Sequence, residues 1–528
     1  MNRSFTVPAF VKRLLKVVFD VPDFLPRCAR ASSDILDLDV WPVPGHLSLT
    51  AMWYTLDMTR PTTLGELISS GWTSVSVAEE LRRNAVARIR AGEELVPAVL
   101  GYEDTVMPQL ENALVAGHDV IFLGERGQAK TRMIRALTGL LDEWMPIVSG
   151  SEINDDPTAP VSAYAKGLIA EHGDDTKIDW VHRDQRYGEK LATPDTSMAD
   201  LIGEVDPIKV AEGRYLSDEL TLHYGLIART NRGIFAMNEL PDLSERIQVG
   251  LLNVLEERDV QIRGFKVRLP LDVVLFASAN PEDYTNRGRI ITPLKDRFGS
   301  QIRTHYPLDV ETEMTIVEQE AELPPADIVE VRVPRFMLEL VSEFSQQARQ
   351  SSQISQRSGV SVRLSVANYE AIVANSIRRS LSAGEEVAVP RVSDLSAMAA
   401  TTSGKIEVEA FEDGSEGKII NALIRSAVHT TFIDSVDPTL FGPIVEAFDA
   451  GETVDVGPGV ESEQFVRLVE DIPSLQPAID ELFEDDDIDQ KDPAVVASAV
   501  EMILEGLHLA KRLNKNDYGD LSQYRGRS

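Results

Sequence analysis

Asp119-Val-Ile-Phe-Leu123 runs directly into Gly124-Glu125-Arg126-Gly127-Gln128-Ala129-Lys130-Thr131, and this stretch decides the reading of the chain. A short apolar run ending in glycine predicts a buried parallel strand. The pattern after Lys130 predicts a helix over about 130–143. A glycine-bearing loop between strand and helix points successive backbone N–H groups at one spot and makes a concave anion site. Lys130 is placed to reach β- and γ-phosphates, and the Thr131 hydroxyl to bind Mg²⁺. The usual second glycine of such a loop is Ala129 here. Glycine is required at that position only if the backbone takes positive φ or approaches something closely. The bland alternative is a turn that happens to hold Lys-Thr. The strand–loop–helix order favours ATP binding by residues 124–131.

Working outward, the period-2 and apolar-run signals recur. Gly233-Ile-Phe-Ala-Met237 and Asp272-Val-Val-Leu-Phe-Ala277 predict two more buried strands, Ile302 to Tyr306 a fourth, and Ile178-Asp-Trp-Val181 a weaker fifth. An amphipathic helix with Leu243, Ile247, Leu251, Val254 and Leu255 follows the second strand. Upstream, Thr63 to about Arg90 reads as helical, closed by Gly92 and Pro97, and residues 103–116 as another helix stopped by Gly117. Strands alternating with helices predict an α/β domain in three layers over a parallel sheet. After Pro307 the signals turn helical, near 309–320, 334–348, 364–381, 391–402, 418–434 and 493–513. The expected organisation is 1–57 as a poorly ordered or non-native extension, 58–97 as an N-terminal helical segment and 98–308 as the α/β core. A helical lid follows over 309–450, then an acidic helical region over 451–528 in which Glu484-Asp-Asp-Asp487 reads as a solvated linker.

Two further strand ends carry chemistry. The second strand ends in Asn238-Glu239, where a nucleotide-hydrolysing protein of this type usually has Asp-Glu. Asn238 can hydrogen-bond Thr131 or a metal-bound water but brings no charge, which weakens its support of Mg²⁺. Glu239 keeps the role of general base towards water. The third strand ends in Ser278-Ala-Asn280, and an amide there can position the lytic water, because ligands sit at the carboxyl ends of parallel strands.

Four elements in order resemble AAA+ ATPases of the branch that holds the magnesium chelatase ATPase subunit and the MoxR proteins. They are Gly-Glu-Arg-Gly-Gln-Ala-Lys-Thr (124–131), Phe-Ala-Met-Asn-Glu-Leu (235–240), Ala-Ser-Ala-Asn-Pro-Glu-Asp (277–283) and Leu-Lys-Asp-Arg-Phe-Gly (294–299). The resemblance covers about residues 98–400. It implies an AAA+ core with a helical lid, Asn280 as sensor 1, and Arg297 as an arginine finger reaching the nucleotide of a neighbouring subunit. The alternative for Arg297 is a salt bridge with Asp296 or another carboxylate. Arg363 is the sensor-2 candidate, with Arg357 and Arg378 as rivals. Residues 200–228 match the helix-2 insert, and 257–269 around Gly264 the pre-sensor-1 hairpin. The implied assembly is a homo-hexameric ring, and the implied partner a protein with a von Willebrand A domain.

The chain has 528 residues, of which 43% are hydrophobic and 26% charged, which suits about three globular domains at roughly 150 residues each. With 52 basic and 85 acidic side chains the net charge is −33, which repels bare nucleic acid and anionic membranes at long range. Aromatics are 6% and no basic stripe interleaves with them, so nucleic-acid binding is not expected. One cysteine, Cys28, excludes a disulfide framework and a CxxC zinc site. The eight histidines form no HExxH pair. No run of 18 apolar residues suggests a membrane span, and Lys16 and Asp20 interrupt any secretion signal, so the expected location is cytoplasmic. An amphipathic anchor or transit-like segment in the first 30 residues is the alternative. No Gly-Ala-Phe-Thr-Gly-Ala loop is present, which counts against transcriptional activation. The first functional reading is an ATP-driven ring that remodels a protein partner. The second is the ATPase subunit of a magnesium or cobalt chelatase acting on a tetrapyrrole. The third is a nucleotide-gated scaffold with little turnover, because of Asn238.

Overall fold

The apolar runs of the first half do become a parallel sheet. In the computed structural model, which describes residues 60–205, 221–261, 268–280, 288–325, 328–355, 359–408, 415–519 and 521–527, five strands pair in one sheet. Their spatial order is Ser300–Arg303, Val120–Leu123, Val273–Ala279, Gly233–Asn238, Tyr187–Leu191, all parallel. The register places Leu123 beside Ala279 and Arg303, Ala277 beside Met237, and Leu191 beside Asn238.

Alternation along each strand makes the layers. Val120, Phe122, Ile234, Ala236, Val274 and Phe276 pack on one face, with the helices Val77–Ala91, Val106–Ala116 and Lys130–Ala136. Ile121, Phe235, Met237, Leu275 and Ala277 pack on the other, with the helices Glu245–Glu256 and Thr292–Arg297. Phe122, Phe235 and Phe276 are fully buried. Each such burial contributes about 1.5–3 kcal/mol relative to exposure. The helix Val77–Ala91 is fixed at its start by Ser76, whose side chain accepts the N–H of Glu79 at 3.3 Å, and at its end by Gly92 at φ 67°. It is tied to the sheet by a bidentate pair between Glu80 and Arg186, 4% and 1% exposed, with contacts of 2.7 and 2.6 Å.

One strand differs from expectation. Ile178–His182 is a strand, but it pairs antiparallel with Trp144–Val148 outside the main sheet. The fifth place is taken by Tyr187–Leu191, an edge strand whose polar Glu189 and Lys190 left no apolar run to read. The helix after the loop is also shorter than expected, Lys130–Ala136 continuing as a 3₁₀ turn over Leu137–Leu140.

Beyond Pro307 the structure is mostly helical, with Val310–Glu320, Arg335–Gln350, Val362–Ala383, Ser415–Ser435 and Pro493–Leu509 as the main helices. One hydrophobic core runs from Met314 to Tyr524 and includes Phe344, Ile372, Phe432, Phe465 and Ile503. A three-stranded antiparallel sheet, ordered Thr453–Val456, Leu521–Arg525, Asn514–Tyr518, adds to this helical region. In the acidic run, Glu484, Asp485 and Asp487 are exposed, whereas Asp486 accepts the N–H of Arg335 at 2.6 Å and so caps a core helix rather than hanging in solvent. Residues 1–57, the middle of the 200–228 insert, Gly264 and Arg357 lie outside the described residues. Around them, Gly203–Val205 pairs antiparallel with Leu222–Tyr224, and Asp259–Gln261 with Arg268–Pro270. Among the described residues no helix is long and apolar enough to cross a membrane.

Candidate functional site

The loop Gly124–Thr131 turns at the carboxyl end of the strand Val120–Leu123, and its shape follows from what crowds it. A Cβ on Gly124 would stand 1.9 Å from Thr304 Oγ1 and 2.1 Å from Gln128 Oε1, which are hydrogen-bonded to each other at 2.6 Å. Gly127 has φ 76°, and a Cβ there would stand 1.8 Å from the Oγ of Ser361, the capping residue of the helix Val362–Ala383. Tyr306 donates to the carbonyl of Arg126 at 2.9 Å and Tyr102 to that of Gln128 at 3.0 Å. The side chain of Arg126 is exposed and that of Glu125 half-buried, beside the Tyr306 hydroxyl. Ala129 stands at φ 51°, ψ 12°. The condition that calls for glycine is therefore met, and an alanine meets it at a strain of about 1–2 kcal/mol.

Lys130 is 7% exposed, and its ammonium donates to the carbonyl oxygens of Gly124 at 2.6 Å and Glu125 at 2.5 Å. The charge is thus held inside the loop by its own backbone carbonyls. Thr131 Oγ1 donates to Asn238 Oδ1 at 3.2 Å, and Ser278 Oγ donates to the same oxygen at 3.1 Å. Asn238 Nδ2 donates to Glu189 Oε1 at 2.6 Å. Glu189 in turn accepts from Arg135 Nε at 2.8 Å, Arg135 Nη2 at 2.9 Å and the Tyr187 hydroxyl at 2.9 Å. Burial works against its charge, but the bonds from Arg135 and Tyr187 outweigh it, so the carboxyl titrates below the usual range. The donor set fits a hard cation: two neutral oxygens, from Thr131 and Asn238, lie side by side with a carboxylate behind them.

Glu239 follows with φ 52°, a left-handed conformation uncommon for a non-glycine residue, and its N–H donates to Ser278 Oγ at 3.3 Å. Asn280, 5% exposed, ends the neighbouring strand, so the two ends that Ser278 joins carry both residues. Arg297 is placed elsewhere. Its Nε donates to Glu256 at 2.8 Å with a second contact to the same oxygen, and Nη1 donates to the carbonyl of Pro293 at 2.9 Å. Within one chain it is engaged in a salt bridge, with Glu256 rather than Asp296. Arg363 is exposed and begins the helix that presses on Gly127, whereas Arg378 binds Asn375. On an α-helix the step of fifteen positions from Arg363 to Arg378 spans about 22 Å.

Sequence reading did not pick out the cleft beside the loop. Val99, Leu100 and Tyr102 from one segment, Ile316 from Val310–Glu320, and Val362 form walls around Gly127–Ala129. Arg132, two residues past Lys130, pairs with Glu320 across it. Nor did it find Glu189, because the strand that carries it shows no apolar signal. Among the described residues no group of three or more His, Cys, Asp or Glu side chains converges on a point.

Residues 211–297 match the family model described as the Sigma-54 interaction domain. Two curated relatives are the magnesium-chelatase subunit ChlI of Nostoc sp. (strain PCC 7120), 28% identical over 242 residues, and the magnesium-chelatase 38 kDa subunit of Rhodobacter capsulatus, 29% identical over 235. The aligned parts are 43% and 42% of this chain, and 58% and 59% of those proteins. The chain thus spans about three fifths of the length of these relatives. A solved structure of the complex between subunits BchI and BchD of magnesium chelatase aligns with 19% identity over 62% of this chain and 98% of that chain, at a TM-score of 0.33. The chain resembles AAA+ ATPases, the ATPase subunit of magnesium chelatase among them.

Proposed function

We propose that this chain binds ATP in the loop Gly124–Thr131 and hydrolyses it in a homo-hexameric ring that remodels a protein partner, of the von Willebrand A type. The observation that carries this reading is the buried Lys130 ammonium, folded into its own loop at the carboxyl edge of a parallel sheet beside Thr131, Asn238 and Glu239. In the proposed roles Lys130 binds the phosphates, and the apolar cleft lined by Val99, Ile316 and Val362 takes the base. Thr131 and Asn238 hold Mg²⁺, which when bound neutralises charge on the β- and γ-phosphates. Glu239 takes a proton from the attacking water and Asn280 orients that water. Arg297 from a neighbouring subunit stabilises charge developing on the transferred phosphoryl group, and Arg363 contacts the nucleotide from the lid. The test is a titration of adenine nucleotide by calorimetry, with size analysis in a non-hydrolysable ATP analogue. Binding that Lys130→Ala abolishes, with nucleotide-dependent growth to a ring, supports the reading. No heat with well-folded protein in Mg²⁺ refutes it.

A second reading, favoured by the names of the curated relatives, is the ATPase of a magnesium or cobalt chelatase acting on a tetrapyrrole. It requires ATP-dependent metal insertion by the chain with a co-expressed partner protein. No insertion into any tetrapyrrole removes it. If turnover is near zero in every oligomeric state while binding is tight, the chain is a nucleotide-gated scaffold instead.

A further inference from the structure

Asn238 stands where a carboxylate would face the cation, and an amide is useful there only if its oxygen, not its NH₂, points at Thr131. In this chain a neighbour decides which. Glu189 pairs with Ala236 in the register of Tyr187–Leu191 against Gly233–Asn238, so it shares a face with Asn238 one pleat back. Its carboxylate meets Asn238 Nδ2 at 2.6 Å. An ionised carboxylate only accepts hydrogen bonds, so only the NH₂ end can face it. Oδ1 is then turned to the opposite side, where Thr131 and Ser278 both donate to it. The orientation of the amide is therefore dictated by the carboxylate, and the two hydroxyls, which can donate or accept, conform to it.

Glu189 is itself held in place. Arg135, in the last turn of the helix that starts at Lys130, grips it through two nitrogens, and Tyr187 adds a third donor. The carboxylate is clamped between the loop's own helix and the edge strand. An anion bonded to an amide N–H also polarises that amide and makes its oxygen a stronger acceptor, by about 10–30% per bond in condensed-phase estimates.

We propose that Glu189 is a positioning residue for the nucleotide-bound Mg²⁺: through the Asn238 amide it supplies the oriented oxygen, and part of the negative charge, that a carboxylate at position 238 would bring. This rests on the reading of residues 124–131 as a Mg-nucleotide site.

The experiment is equilibrium binding of a fluorescent ADP analogue to the full chain, in Mg²⁺ and in EDTA. The ratio of the two dissociation constants isolates the metal's contribution from that of the loop. Glu189→Gln is expected to reduce that ratio by roughly 10- to 100-fold, the usual loss when a group behind a metal ligand is changed, while binding in EDTA changes less than about twofold. The charge swap Glu189→Gln with Asn238→Asp is expected to restore the ratio, because it returns a carboxylate to the strand end with an amide behind it. A purely structural role, in which Glu189 only anchors Arg135 and Tyr187, gives no rescue, since the swap leaves both without the carboxylate. If Glu189→Gln is insoluble, Glu189→Asp keeps a charge for Arg135 but draws it back from Asn238 by one methylene, and the same fall in ratio is expected. An unchanged ratio in the single variants, or no recovery in the swap, overturns the proposal while leaving the loop reading intact. Failure of the parent chain to bind in either buffer overturns both.

Discussion

Within one chain Arg297 faces Glu256, and Glu256→Gln separates two roles for that arginine. The pair is partly exposed, 27% for the arginine side chain and 56% for the carboxylate. A surface pair of this kind holds about 0.2–1 kcal/mol. If Arg297 must leave Glu256 to reach the nucleotide of an adjoining subunit, that energy opposes the active arrangement. Removing the charge should then raise kcat by about 1.4- to fivefold. The gain should shrink as salt screens the pair in the parent chain. The assay is steady-state ATP hydrolysis at saturating nucleotide across a range of protein concentrations, with oligomeric state measured in parallel. Arg297→Ala in the same assay should leave nucleotide affinity nearly intact, abolish turnover, and poison mixed assemblies. A Glu256→Gln rate equal to or below the parent's at matched assembly refutes the idea that the intrachain pair competes with catalysis. Normal hydrolysis by Arg297→Ala refutes the finger role altogether.

Three other perturbations test separate parts of the structure. Glu239→Gln should keep nucleotide binding and lower turnover by roughly 100-fold or more, the scale of a lost general base; an unchanged rate in rapid-quench assays would remove Glu239 from the chemistry. Glu80→Gln leaves the guanidinium of Arg186 buried without its charge partner and should destabilise the Val77–Ala91 contact by about 3–5 kcal/mol, read as faster amide exchange in that helix; unchanged protection would contradict the pairing. Ala129→Gly relieves about 1–2 kcal/mol of left-handed strain and returns about 0.5–1 kcal/mol of unfolded-chain entropy. The denaturation midpoint should therefore stay level or rise, and a clear fall would mean that the loop does not hold its positive φ.

The sheet was legible where strands are buried on both faces. Val120–Leu123, Gly233–Asn238 and Val273–Ala279 carry continuous apolar runs because helices cover both sides. At the edge that rule lapses. Tyr187–Leu191 needs only one neighbour and alternates polar residues, so the sequence offered Ile178–Val181 in its place, which has the apolar content but pairs elsewhere. The same failure hid Glu189, since a residue on an unread strand cannot be set beside Asn238. The loop motif was plain because its spacing is local. The walls of the cleft were not, because Val99, Ile316 and Val362 meet only once the chain has folded across more than 200 residues. The three strands near the end of the chain are short and polar on one side, too weak a signal among acidic helices.

The Oγ of Ser361 fills the space over Gly127, and the helix that Ser361 caps belongs to the core that runs on to Tyr524. A loop that opened there would meet that hydroxyl first, and the continuous core behind it would resist the displacement rather than yield locally.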